Sequence, residues 1–136
     1  MLIRVSFVVP SDSNQFRMTP RLAFQISAGL GLLSVALGAF GAHGLKATLT
    51  ALGTADIFET AVRYQFLHAL AMLVISRIRP FLAPAWWCFL IGIVIFSGSL
   101  FVLALTGVKW LGAITPLGGV AFLAGWLLLV IRAPRD

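Results

Sequence analysis

The sequence predicts an all-α membrane protein, a bundle of four transmembrane helices with a short interfacial helix between the first span and the second. Composition is the first reason. Of 136 residues, 60% are hydrophobic and only 10% charged, and the mean hydropathy is +1.04. A soluble domain is nearer half apolar and a quarter charged, so the excess apolar surface must face lipid. The second reason is that the apolar residues fall into four runs, each about as long as the roughly 20 residues that cross the hydrocarbon. The third is that the basic residues sit between those runs, where they act as topology signals. They are not gathered with stacking aromatics on a polar face, which excludes a nucleic-acid partner despite the net charge of +6. The bilayer itself is the partner that composition names.

Residues 1–19 read as an N-terminal extension. Leu2, Val5, Phe7, Val8 and Val9 are followed by Pro10 and the polar run Ser11-Asp12-Ser13-Asn14-Gln15, and the apolar part is too short to span a bilayer. Either translation starts at Met18, or the stretch is a disordered or interfacial tail. Residues 20–136 form the transmembrane domain. The first span is expected over 22–41. Arg17 and Arg21 flank it as they would a signal peptide, but the run exceeds a signal's apolar region of about 7–15 residues, so it is retained.

The connection 42–55 is the one sizeable loop. Leu45, Leu49 and Leu52 share a helical face there, Gly53 is placed as a C-cap, and the segment should lie on the membrane surface. Asp56 and Glu59 have capping-box spacing ahead of the second span, 57–78, which Arg77, Arg79 and Pro80 close. Pro84 precedes the third span, 85–105, where Trp86 and Trp87 suit an aromatic belt at the lipid–water boundary. Gly107-Val108-Lys109-Trp110 forms a turn, and the fourth span covers 111–131. Pro116 is either its N1 residue behind a Thr115 cap or a kink. Cys88, the single cysteine, lies inside an apolar run and reads as a small hydrophobe.

With four spans, Arg4, Arg17, Arg21, Arg77, Arg79, Arg132 and Arg135 share one side of the membrane, against Lys46, Arg63 and Lys109 on the other. The positive-inside rule then places both termini in the cytoplasm. Close packing within lipid depends on small residues. Ser27, Gly31, Ser34, Gly38 and Ala42 form one stripe on the first span, with Cys88, Gly92 and Ser99 on the third and Gly118, Ala121 and Gly125 on the fourth. Each stripe should admit a neighbour's backbone.

Polar residues inside spans are functional candidates by default. Here they concentrate in the outer half of the second span: Glu59, Arg63, Tyr64, Gln65 and His68, with His43 and Lys46 nearby at the end of the first. Glu59 and Arg63 are four apart in the order that favours an ion pair. Tyr64 and His68 are four apart on nearly the opposite side. A helix polar on two sides at one depth should sit centrally in the bundle. The cluster is read either as a structural network, with Glu59 and Arg63 snorkelling to the headgroups, or as a ligand, proton or ion site.

No catalytic constellation and no cofactor site emerges. His43 and His68 lie at different depths, which argues against paired haem ligands. A zinc site needs more ligands than His43, His68 and Glu59 provide, and no acid is placed to orient a triad base. No phosphate-cradling loop with its lysine is present.

Two stretches in order, Gly38-Ala39-Phe40-Gly41-Ala42-His43-Gly44-Leu45 and Thr60-Ala61-Val62-Arg63-Tyr64-Gln65-Phe66-Leu67-His68-Ala69-Leu70, resemble the signatures of the YgdD-like family of small bacterial inner-membrane proteins, domain of unknown function 423. Phe96-Ser97-Gly98-Ser99-Leu100 and Trp110-Leu111-Gly112-Ala113-Ile114-Thr115-Pro116-Leu117-Gly118-Gly119 extend the resemblance over nearly the whole chain from Met18. Eukaryotic transmembrane protein 256 looks related. The resemblance implies a four-helix protein of the bacterial inner (plasma) membrane. Its matching motif residues include His43, Arg63, Tyr64, Gln65 and His68, and it brings no activity with it. The leading expectation is therefore a non-enzymatic structural or accessory membrane protein that oligomerises through its glycine stripes or joins a membrane-protein partner. The alternative is a small transporter or channel component for an anion, proton or metabolite, using Arg63, Tyr64 and His68. A third is a redox or lipid-modifying subunit that borrows its chemistry from a partner.

Overall fold

A computed structural model describes residues 18–132. The extension expected over 1–19 therefore lies outside the described residues apart from Met18 and Thr19, as do Arg4, Arg17 and Arg135. Every regular element among the described residues is helical.

Helix α1, Pro20–Ala42, opens with proline in its first turn, and the Thr19 hydroxyl accepts the Leu22 N–H at 3.2 Å. That satisfies one of the N–H groups a helix start leaves orphaned. Helix α2, Lys46–Leu52, ends at Gly53 with φ +64°, the left-handed cap its sequence calls for. Leu49 is buried beneath α2 beside Leu45, whereas Leu52 stays exposed and touches the turn at Gly107.

Helix α3, Ala55–Arg77, starts ahead of the capping box expected at Asp56 and Glu59. Thr54 is its N-cap, Asp56 lies in the first turn, and the Glu59 carboxylate is committed to Arg63 instead. The buried Thr54 hydroxyl reaches across the bundle to donate to the Ala104 carbonyl at 2.7 Å. That carbonyl belongs to the last turn of a helix, where no backbone N–H can take it. Arg79 closes α3 by donating to the Ser76 and Ile78 carbonyls, each at 3.0 Å.

Helix α4, Ala83–Gly92, runs through a π-turn, Ile93–Ser97, into α5, Gly98–Thr106. Gly107 stops α5 at φ +73°, and a 3₁₀ turn, Lys109–Ala113, leads into α6, Thr115–Ile131. Pro116 is the second residue of α6, so it starts that helix, but the expected Thr115 cap is not there: Ile114 is the N-cap, and Thr115 is already helical with its hydroxyl 2.8 Å from that of Ser99.

The contacts between ends define an up-down-up-down bundle. The Arg77 guanidinium at the end of α3 lies over the Phe24 ring near the start of α1, 5.9 Å from its centroid. Trp86 at the start of α4 meets Ser27 of α1, and Thr54 joins the start of α3 to the end of α5. Opposite α4 and α5, α6 runs antiparallel. Phe89, Gly92, Phe96 and Ser99 meet Gly125, Phe122, Gly118 and Thr115 in turn, so each step along one rod is matched by the same step down the other.

Trp86 departs from its expected place in an aromatic belt. It is fully buried and donates its indole N–H to the Ser27 hydroxyl at 3.0 Å, while Ser27 donates to the Ala23 carbonyl at 2.7 Å. Trp87 and Trp110 are the exposed tryptophans at helix ends. The small-residue stripes also behave differently from one another. Gly92 and Gly125 are sockets for the Phe122 and Phe89 rings, Gly118 alone of the stripe glycines meets a neighbour's backbone, at Phe96, and Gly31 has nothing close to it.

Among the described residues, three helical segments are long and apolar enough to cross a membrane: Pro20–Ala42, Ala83–Thr106 and Lys109–Ile131. Their outward faces present large apolar side chains such as Leu32, Val94, Leu123 and Val130, the surface that lipid rather than water accommodates. Helix α3 has the length, at 23 residues, but carries Asp56, Glu59, Arg63, Gln65, His68 and Arg77. It also packs against α1, α2, α4 and α5.

Candidate functional site

Helical geometry decides where the polar residues of α3 go, because side chains four apart stack on one face while neighbours diverge. Arg63 donates to the Glu59 carboxylate at 2.6 Å, and both side chains stand about two-thirds exposed, at 64% and 67%. This pair faces outward beside α1.

Gln65 points to a different neighbour. It is buried against α1 and donates its amide to the Leu30 carbonyl at 3.3 Å. The Ser34 hydroxyl bonds the same carbonyl at 2.8 Å, so one α1 acceptor is shared by two side chains.

Tyr64 and His68 turn toward α6. His68 Nδ1 lies 2.8 Å from the Tyr64 carbonyl, and Nε2 lies 3.2 Å from the Trp126 indole nitrogen. A carbonyl only accepts and an indole N–H only donates, so Nδ1 bears the proton and Nε2 is bare. The imidazole is thereby held as one neutral tautomer. Its ring stacks on Phe122, 3.6 Å between centroids and 10° from parallel, while Tyr64 stacks on Phe96 at 4.5 Å. These rings line a lateral crevice of about 470 Å³ between α3 and α6.

The six candidates therefore do not converge. Glu59 and Arg63 form one site, Gln65 a second contact and Tyr64 with His68 a third, while His43 is exposed at the C-cap of α1. Among the described residues no group of three His, Cys, Asp or Glu side chains gathers to hold a metal. Sequence reasoning missed the partners of His68, Phe122 and Trp126. The available signal was spacing: these two aromatics are four apart on α6, as Tyr64 and His68 are on α3.

A helical bundle whose outward faces are apolar, with its buried polar side chains bonded chiefly to backbone carbonyls of its own helices, defines a small integral membrane protein. The profile of a family described as "Protein of unknown function (DUF423)" matches residues 37–119, and the chain belongs to that family. Its relatives include the UPF0382 inner membrane protein YgdD of Escherichia coli K12, 42% identical over 87% of this chain and 93% of the relative. The UPF0382 membrane protein YwdK of Bacillus subtilis is 44% identical over 76% and 89% respectively. A UPF0382 membrane protein of Staphylococcus epidermidis is 50% identical over 74% and 84%. No solved structure matches the chain.

Proposed function

We propose that this chain is a non-enzymatic structural or accessory protein of the bacterial inner membrane, crossing it four times with both termini in the cytoplasm. One observation supports this role above others: apart from Ser97, whose buried hydroxyl has no partner, the polar side chains deepest in the bundle are spent on its own helices. His68 is used at both nitrogens, Gln65 binds the α1 backbone, and Trp86 with Ser27 fastens α4 to α1. Side chains tied in this way stitch helices together and are not poised to turn over a substrate. The transport reading has less support, because Arg63 is turned to Glu59 on the outer surface while Tyr64 and His68 face α6.

The fourth span is α3. At 1.5 Å per residue its 23 residues cover about 34 Å, enough for a hydrocarbon core of about 30 Å. Its polar side chains lie against helices or within snorkelling reach of an end. Helix α2, with Leu49 turned inward and Lys46 and Thr50 outward, lies at the interface between the first two spans. A reporter fused after Arg132 that is active only in the cytoplasm should fluoresce, and one active only in the periplasm should stay silent. The reverse pattern refutes the orientation, and an odd span number would show as termini on opposite sides.

The role is tested by thermal unfolding in mild detergent across quinones, metals and small anions. The expected result is that none of them shifts the wild-type midpoint, while His68→Ala melts lower, because the buried imidazole loses its stack on Phe122 and its bonds to the Tyr64 carbonyl and Trp126, a loss of about 1–3 kcal/mol. A compound that raises the wild-type midpoint but not that of His68→Ala would instead make the crevice a binding site, because only a ligand of the folded state stabilises it.

A further inference from the structure

On the α1 side of α3, away from the His68 crevice, a groove runs from the α2 end of the bundle toward its middle. Its outer part, about 540 Å³, has Lys46 and Thr50 at the mouth and Gly41 and Phe58 deeper in. Its inner part, about 310 Å³, is lined by Val35, Arg63 and Phe66. Both parts share Gly38, Glu59 and Val62, so the two form one continuous channel along the helix pair. Gly38 leaves the floor open, since a Cβ there would meet only Val62, at 3.5 Å.

The chemistry of the groove changes along its length. Lys46 lies in the outer wall, Glu59 is shared by both parts, and Arg63 enters at the inner part, where Val35, Val62 and Phe66 make the rest of the lining mainly apolar. Arg63 is paired with Glu59, but among the described residues no carboxylate pairs with Lys46. The lining therefore holds one positive charge in excess. Arg63 is eight residues from the start of α3, about 12 Å along its axis, so its head and that of Lys46 can meet at the level of the headgroups. An amphiphile carrying a single negative charge and a long acyl chain matches both the charge and its gradient.

We propose that this groove is a binding site for one anionic phospholipid. The phosphodiester sits between Lys46 and Arg63, the Thr50 hydroxyl is within the same mouth, and one acyl chain lies over Gly38 and Val62 toward Phe66. A zwitterionic lipid offers the same chains, but its own cation competes with Lys46 for the phosphate. The selectivity therefore comes from the excess charge and the depth of occupancy from the trough.

The test uses the full-length protein in a neutral detergent, with dioleoyl phosphatidylglycerol or dioleoyl phosphatidylcholine titrated into the micelles and the unfolding midpoint as readout. Phosphatidylglycerol should raise the midpoint at lower concentration than phosphatidylcholine. Lys46→Gln should raise the phosphatidylglycerol concentration for half-maximal effect about fivefold, the worth of one basic group near an anionic lipid surface, and Lys46→Arg should restore it. Val35→Trp, at an exposed position that fills the trough, should weaken both lipids and leave the lipid-free midpoint unchanged. Equal responses to the two lipids in wild type and Lys46→Gln would overturn the proposal. So would an equal shift from inorganic phosphate alone, which would mark a headgroup-sized anion site. A lipid-free dimer that Val35→Trp converts to monomer would also overturn it, because the groove would then be filled by a second copy of the chain.

Discussion

Trp86→Ala is expected to lower the unfolding midpoint in detergent by on the order of 10 °C, corresponding to about 3–5 kcal/mol for an aromatic removed from a packed core. Trp86 is completely buried among Ala23, Met72, Ile75, Ala85 and Phe89, and its indole N–H is bonded to Ser27. Lipid cannot enter to refill the space, because no part of the side chain reaches the surface. Dispersion contacts are therefore lost on every side of the cavity. Ser27 keeps its bond to the Ala23 carbonyl, so the loss is one of packing more than of an orphaned hydroxyl. Trp86→Phe should accordingly recover most of the stability. Trp87→Ala is the control: its ring is 43% exposed and should cost little. Equal shifts for Trp86→Ala and Trp87→Ala would show that the buried position has no special part in stability.

Gly118→Ala should be nearly as damaging, although it adds a single methyl group. A Cβ at Gly118 would fall against the Phe96 backbone nitrogen, 2.8 Å from Phe96 Cα and 2.7 Å from its Cβ. A backbone cannot rotate away as a side chain can, so α6 must separate from the π-turn. Overpacking of this kind costs about 1–3 kcal/mol. The separation would also strain the Ser99–Thr115 hydroxyl pair, now 2.8 Å apart, and the Tyr64–Phe96 stack. Gly31→Ala makes the comparison informative. Nothing lies within 4 Å of a Cβ there, and a helix gains about 0.5–1 kcal/mol when mid-helix glycine becomes alanine. If both variants melt together, the close approach at Gly118 does not limit packing.

Tryptophan and glycine together show where reading the chain succeeds and where it stops. Trp86 and Trp87 are adjacent and chemically identical, so only the direction each takes around the helix separates a core residue from a surface one. That direction depends on Ser27, 59 positions away in sequence. Gly31, Gly92 and Gly118 were equally good seam residues on spacing alone. What each meets, open space, a phenyl ring or a backbone, depends on the register between helices. The polar cluster behaved similarly. Spacing of four correctly paired Glu59 with Arg63 and aligned Tyr64 with His68, because that relation is internal to one helix. Which neighbour receives each pair is external to it, and the candidates divide among α1, α6 and the outer surface.

From the chain alone it follows that this is a helical membrane protein of the DUF423 family, where its helices begin and end to within a few residues, and that Gly53 caps α2. Those properties follow from apolar run length, from the φ that glycine alone tolerates and from motifs that are contiguous along the chain. Packing in three dimensions settles that Trp86 is core, that Thr54 serves the Ala104 carbonyl rather than its own helix, and that His68 is held between the Tyr64 carbonyl and Trp126. It alone also revealed the charged groove beside α1. The physical reason is common to all of these. Short-range periodicity fixes a helix and its faces, but the partner of a face is set by packing between helices distant in sequence, where one buried hydrogen bond or one methyl group selects the register.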